Sequence, residues 1–297
     1  MIQLSIPIPL QTVRFNNWEK KGIQVSVLRE DLVHPYISGN KGRKLKYNLI
    51  DFFDSGKKTI LTFGGAFSNH LIATAAAGRE YGFESIGIVR GDEINNPYLD
   101  FMQSCGMKLH FISREDYRNK TDSNTQIKIL ESLLLKSVIK DLDDVFIISE
   151  GGANYAAVKG ASEIMNEISD DMNYICCACG TGATVAGLSL GLKSGQQLIA
   201  VQVLKAPGFL KSAVEALGGN VDRMIIKEDY HFGGYAKKDA SLISFCEKFY
   251  NETEIRIEPV YTGKLFFAVN DMINSGYFIQ GDKIVLIHTG GNYPFNN

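Results

Sequence analysis

The stretch YICCACGTGATVAG, residues 174–187, holds an apolar run of strand length that stops at a glycine and passes through Gly-Thr-Gly into a helical run. Apolar strand, glycine turn and helix in that order form the first half of a crossover unit, so a buried strand is predicted over 174–178. Backbone N–H groups at the helix start, with the hydroxyls of Thr181 and Thr184, suit a small phosphate. The loop lacks the Gly-Lys-Ser/Thr ending of a Walker loop. It also departs from a dinucleotide fingerprint, because Val185 replaces the third glycine and the next strand, QLIAVQVL, offers Gln202 rather than an acid. The same glycines also serve a plainer purpose, letting a helix lie close on its strand. Cys176, Cys177 and Cys179 have no second cysteine or histidine pair at zinc spacing and read as small core hydrophobes, so no metal is expected.

Outward from this stretch the pattern repeats. Strands are expected at 24–28, 59–63, 85–89, 108–112, 145–148, 198–204 and 283–287, with helices such as 69–81 and 126–140 between them. Strand alternating with helix is the mark of a parallel sheet, and the fold class is α/β. Glycine turns follow strands at Gly64-Gly65, Gly151-Gly152, Gly180-Thr181-Gly182 and Gly290-Gly291. Ligands of open parallel sheets sit at that edge.

Composition narrows the function. A chain of 297 residues suits two lobes, and a net charge of −2 offers no broad surface for nucleic acid or an anionic membrane. No apolar run approaches the roughly 18 residues of a membrane span. The opening MIQLSIPIPLQTVRF lacks a basic start and a long apolar stretch, and the odd set of five cysteines fits a reducing compartment; a cytoplasmic protein is expected. Chemistry on a small molecule becomes the default.

Four further stretches can carry that chemistry. In SGNKGRKLKYNL, residues 38–49, Lys41 follows a Gly-Asn turn, with Arg43, Lys44 and Lys46 behind it. Such a lysine is ordinary on a surface; in an enclosed site near other cations its pKa falls and it can form an imine with an aldehyde. GGAFSNH, residues 64–70, presents Ser68, Asn69 and His70 at a helix start, where a serine either caps the helix or relays a proton. EPVYTGK, residues 258–264, places Tyr261 on an expected short strand, and LIHTGGN, residues 286–292, puts Thr289 at the tip of the last buried strand. Either side chain can be mere packing, and either can face a ligand.

Taken in order, GNKGRKL, GGAFSNH, SEGGAN, GTGATVAG, HFGGYA, PVYTGK and HTGGN resemble the fold type II pyridoxal-phosphate enzymes, specifically the family of 1-aminocyclopropane-1-carboxylate deaminase and D-cysteine desulfhydrase. The likeness runs from about Leu28 to Asn292. It implies two domains of three-layer α/β sandwich with mostly parallel sheets, similar to tryptophan synthase β. A larger lobe of residues 1–44 and 151–297 and a smaller one of 45–150 are expected. It implies pyridoxal 5'-phosphate joined to Lys41, with Lys44 and the loop Thr181, Gly182, Ala183 and Thr184 near the phosphate. Asn69 is implied at the ring's phenolic oxygen and Thr289 at its nitrogen. Ser68, Asn69 and His70 are implied at the substrate, and Ser68, Tyr235 and Tyr261 in proton transfer. A homodimer is implied as well.

Two departures choose among relatives. Cyclopropane deaminases resemble one another in a glutamate after the second tyrosine; that position is Thr262 here, and His70 stands where they tend to have glutamine. Without that carboxylate the ring nitrogen stays largely unprotonated and the cofactor is a weaker electron sink. Loss of a thiolate from a β-carbon tolerates this better than opening a cyclopropane ring. The expected activity is therefore β-elimination from a small amino acid, D-cysteine foremost, giving pyruvate, ammonia and sulfide. Alternatives are 1-aminocyclopropane-1-carboxylate deamination, another β-elimination or β-replacement, and a catalytically silent amino-acid sensor.

Overall fold

The computed structural model describes residues 8–15 and 18–296, and these divide into two compact units. One is Tyr47–Ala153; the other gathers the described residues up to Lys46 and from Asn154 onward. Pro7, one of the two prolines in the opening stretch, lies outside the described residues.

The larger unit is built on a six-stranded sheet. Its strands are β1 (Leu10–Val13), β2 (Gln24–Leu28), β7 (Tyr174–Cys179), β8 (Gln197–Gln202), β9 (Met224–Lys227) and β10 (Lys283–Ile287), in the order β1-β2-β10-β7-β8-β9. All neighbours are parallel except β1, which runs antiparallel to β2. The central strands β7 and β10 are buried from their second residue on, as their unbroken Ile, Val, Leu and Cys runs require of a sheet covered on both faces. Around the sheet lie α6 (Tyr155–Ser162), α7 (Ala183–Leu190), α8 (Phe209–Ala216), α9 (Ala240–Thr253) and α10 (Thr262–Asn274). Phe15, Trp18, Phe245, Phe249 and Phe266 join Cys176 and Leu286 in one core. Several of their rings meet edge to face, Phe15 and Trp18 at 5.1 Å and Phe249 and Phe266 at 5.0 Å.

The helix α1 (Asn40–Asp54) begins in this unit, and its first turn is tightly fixed there. A Cβ on Gly160 of α6 would fall 1.8 Å from the Arg43 carbonyl oxygen, so only glycine lets α6 cross α1 at this height. Arg43 pairs with the wholly buried Glu30 at 2.9 Å, and Lys46 pairs with Glu163 at 2.7 Å.

The smaller unit holds an all-parallel sheet of β3 (Thr59–Gly64), β4 (Glu84–Arg90), β5 (Lys108–Ile112) and β6 (Val145–Ile148), in the order β5-β4-β3-β6. Its helices are α2 (Asn69–Tyr81), α3 (Pro97–Ser104), α4 (Arg114–Arg118) and α5 (Ser123–Leu135). The central strand β3 is buried along its whole length.

Several expected bounds shift for local reasons. The helix expected over 126–140 is α5, begun early by the Asp122 side chain, which accepts the Thr125 N–H, and ended before Ser137, whose φ is +55°. The strand expected over 198–204 stops at Gln202, whose side-chain amide donates to the Leu204 and Ala206 carbonyls and turns the chain. Tyr261 lies on no strand: Pro259 cannot donate to a ladder, and the chain enters α10 directly. The short strands β1 and β9 were not expected. Among the described residues no helix is long and apolar enough to cross a membrane.

Candidate active site

In the larger unit the Gly-Asn turn before α1 rests on the turn after β10. A Cβ on Gly39 would lie 2.1 Å from the Thr289 carbonyl oxygen, and one on Gly290 would lie 2.5 Å from Ser38 Oγ. Both glycines have positive φ, +61° and +81°, so close approach and backbone conformation both demand them. His288, fully buried, fixes the second turn. Its Nε2–H donates to the Arg256 carbonyl at 2.7 Å, which leaves Nδ1 to accept the Gly290 N–H at 3.3 Å. Lys41 and Thr289, 248 positions apart in sequence, are thereby tied together at the carboxyl end of the central strand β10.

Lys41 is the second residue of α1, and its Nζ donates to Asn40 Oδ1 at 2.9 Å. The Asn40 amide nitrogen in turn donates to Thr184 Oγ1 at 2.8 Å. Two hydrogen bonds thus join the lysine to the start of α7. Burial pushes the Lys41 amine down to about 8, against the opposing pull of Cys177 and Glu258. Desolvation, rather than the neighbouring cations, lowers it. Lys44, one turn further along α1, is 3% exposed and is held well below the usual lysine range by burial and by Lys41.

The start of α7 is the expected cradle. Gly182 takes φ +93° as its N-cap, and the first N–H groups of a helix have no partner within it. Tyr261 closes one side: a Cβ on Gly180 would meet its ring at 3.3 Å, and Lys41 Nζ lies 6.0 Å from the ring centre. Tyr235 meets Tyr261 edge to face, with centres 5.8 Å apart. Tyr261 is fixed from behind by Glu258, whose carboxylate accepts the N–H groups of Val260, Tyr261 and Thr262 at 2.6, 2.8 and 2.8 Å. Burial raises Glu258 to about 7 although these donors favour the anion. The buried Thr262 hydroxyl also donates to that carboxylate, at 3.2 Å.

Ser68, Asn69 and His70 belong to the smaller unit, at the start of α2. Gly64 lets Ser68 fold back on the end of β3, since a Cβ there would lie 2.6 Å from Ser68 Oγ, and that oxygen accepts the Leu71 N–H at 3.3 Å. His70 is 1% exposed, within the core of this unit. Thr62 Oγ1 spends its hydrogen on the Ile148 carbonyl, so the 2.9 Å contact with His70 is an Nε2–H donating to Thr62. Sequence reasoning missed Asn40, Glu258, Lys264 and His288; of these, Asn40 and His288 stood directly beside residues already singled out, Lys41 and Thr289.

The donor set of the larger unit fits pyridoxal 5'-phosphate. It offers a lysine amine brought near neutrality by burial, a helix start and a second buried lysine for an anion, and a hydroxyl residue at the tip of β10. With the amine at about 8, reductive trapping of pyridoxal phosphate on Lys41 of the apoprotein should rise about tenfold per pH unit up to about pH 8 and then level off. Mass spectrometry of the Lys41 peptide checks this; a rise that continues beyond pH 10 would mean a solvated amine.

Comparison with known proteins agrees. Residues 3–290 match the family model described as pyridoxal-phosphate dependent enzyme. A Pyrococcus horikoshii protein provisionally named a 1-aminocyclopropane-1-carboxylate deaminase is 32% identical over 286 residues, covering 91% of this chain and 85% of that protein. The mitochondrial bifunctional D-cysteine desulfhydrase/1-aminocyclopropane-1-carboxylate deaminase of Arabidopsis thaliana is 29% identical, over 91% of this chain and 73% of its own. The crystal structure of an ACC deaminase homologue superposes with a TM-score of 0.80 at 29% identity, covering 97% of this chain and 90% of that one. The chain therefore belongs to the pyridoxal-phosphate dependent enzymes of fold type II.

Proposed function

We propose that the enzyme removes the β-substituent and the amino group of a small amino acid, D-cysteine foremost, giving a 2-oxo acid and ammonia. For D-cysteine one water is consumed, and pyruvate, ammonia and hydrogen sulfide leave. The observation that carries the reading is the Lys41 amine, lowered to about 8 and set 6.0 Å from the centre of the Tyr261 ring. One group is poised to take a proton and the other to give one.

When bound, pyridoxal phosphate supplies an electron sink for the charge left at the substrate's α-carbon. The N–H groups at the start of α7, with Thr181, Gly182, Ala183 and Thr184, would bind its phosphate, and Lys44 would add a donor whose charged form the phosphate itself would favour against burial and Lys41. By the family resemblance, Thr289 would provide a neutral neighbour for the ring nitrogen, and Asn69 a donor for the phenolic oxygen. Lys41 Nζ, oriented by Asn40, moves the α-proton. Tyr261 Oη protonates the leaving group, and Tyr235 borders Tyr261. Ser68 and Asn69 hold the substrate carboxylate, while His70 steadies their turn through Thr62. The five free, buried cysteines support a reducing, cytoplasmic setting, and the family resemblance supports a homodimer, which mass measurement in solution tests.

A second reading, deamination of 1-aminocyclopropane-1-carboxylate, is favoured by the names of the similar proteins. Against it stands Thr262, which is buried and bonded to Glu258 where the cyclopropane deaminases resemble one another in a glutamate. Holoenzyme offered a panel of D- and L-amino acids and the cyclopropane substrate should release sulfide and pyruvate fastest from D-cysteine. Faster 2-oxobutanoate release from the cyclopropane would reverse the order of the two readings. A fully loaded protein that turns over nothing would make it a sensor.

A further inference from the structure

Lys264 lies in the first turn of α10 and is fully buried. Its Nζ donates to two carbonyl oxygens of one loop, His231 and Gly234, both at 2.8 Å. Gly234 is the residue directly before Tyr235. The loop carries unusual backbone: φ is +54° at Phe232, +97° at Gly233, +130° at Gly234 and +56° at Ala236. Left-handed non-glycine residues persist where surrounding structure imposes them. Here the imposing structure is α10, which also meets the loop through Tyr230 Oη donating to Asp271 at 2.6 Å and through Phe232 against Phe267 at 5.2 Å. Those two contacts hold the loop's start. Lys264 reaches the peptide from which Tyr235 projects.

The anchoring end is fixed too. Gly263 abuts Cys246 and the Glu258 carbonyl, which a Cβ would meet at 2.7 and 2.9 Å, so the first turn of α10 has no room to slide. Tyr261, at the N-cap, is tied to the same turn by Glu258. Both tyrosines are thus referred to one rigid turn of helix.

We propose that Lys264 is a positioning residue that holds Tyr235 at its working distance from Tyr261. The proposal rests on the reading above, in which Tyr235 borders the reacting groups. A lysine suits the task because its amine offers two hydrogens to two carbonyls whether charged or neutral. That matters here, since burial brings the amine down to about 8 against the pull of Glu258. Methionine would fill the same space and donate nothing.

The test compares Lys264→Met, Tyr235→Phe and the double variant as holoenzymes, with amide hydrogen exchange measured on each. In Lys264→Met, exchange at Gly233, Gly234 and Lys237, whose N–H groups bond within the loop, should rise about three- to tenfold, while β7 and α7 stay unchanged. The kcat should fall about ten- to a hundredfold with KM little altered, as for a reacting group misplaced by about an ångström. In the Tyr235→Phe background the same substitution should cost less than about threefold. If Lys264→Met does not fold, Lys264→Gln, which keeps a shorter donor, should show intermediate exchange and activity. Unchanged exchange in the loop, or an undiminished loss in the Tyr235→Phe background, would overturn the proposal. A fully active Tyr235→Phe with raised loop exchange in Lys264→Met would instead remove Tyr235 from the reaction and leave the hold of Lys264 on its turn supported.

Discussion

Replacing Lys41 by alanine is expected to abolish the visible absorbance band of the loaded enzyme and to lower turnover by about a thousandfold or more. The expectation follows from position as much as residue type. Lys41 is fastened by Asn40, Asn40 by Thr184, and the whole turn by Gly39 against Thr289, so the backbone presents this amine in a fixed place. Lys44 is the neighbour to consider, and its charge is already opposed by burial and by Lys41 itself. Removing Lys41 should relieve that repulsion and raise Lys44, which strengthens its attraction for a phosphate. The variant should therefore still bind pyridoxal phosphate, reversibly and without the band. Dialysis followed by phosphate assay checks the first point and an absorbance spectrum the second. Retention of both colour and turnover would end the assignment of Lys41.

Much of this was legible in the sequence because strand, glycine turn and helix follow one another locally. The stretch at 174–187 needed only its own residues to declare β7 and, after its glycine loop, the helix α7. β9 was not legible: its four residues are all half-buried at a sheet edge, so MIIK carries neither a full apolar run nor an alternation. Tyr261 was read on a strand, but it stands at the start of α10, where Glu258, only three residues before it, accepts its N–H and that of Thr262 in a tight local turn that leaves no periodic pattern. His288 and Lys264 were missed for a related reason. Each acts by bonding the backbone of a distant loop, Arg256 for one and His231 and Gly234 for the other, and such bonds leave no periodic signal. The glycine turns were read as marks of the ligand edge. Gly39 and Gly290 add something the reading did not contain, a contact between turns so close that either side chain would break it.

Tyr261→Phe is the sharpest test of how the larger unit does its chemistry, because it removes one oxygen and leaves the framework alone. The ring would still lie against Gly180, still face Tyr235, and still stand 6.0 Å from Lys41 Nζ. Its backbone N–H would still donate to Glu258. Stability should therefore change by no more than about 1 kcal/mol, the ordinary worth of one hydrogen bond, and cofactor absorbance should be intact. If Tyr261 Oη delivers a proton to the departing group, kcat should fall about a hundred- to ten-thousandfold, with KM almost unmoved. The loss should also depend on the leaving group. A thiolate, stable as an anion near neutral pH, needs protonation least, so D-cysteine should suffer less than D-serine, whose departing hydroxide needs a proton outright. Steady-state rates for the two substrates, wild type against variant, separate this role from a packing role, which would depress both alike. Full activity on D-cysteine and on D-serine together would remove Tyr261 from proton transfer and leave Lys41 as the group that must serve both steps.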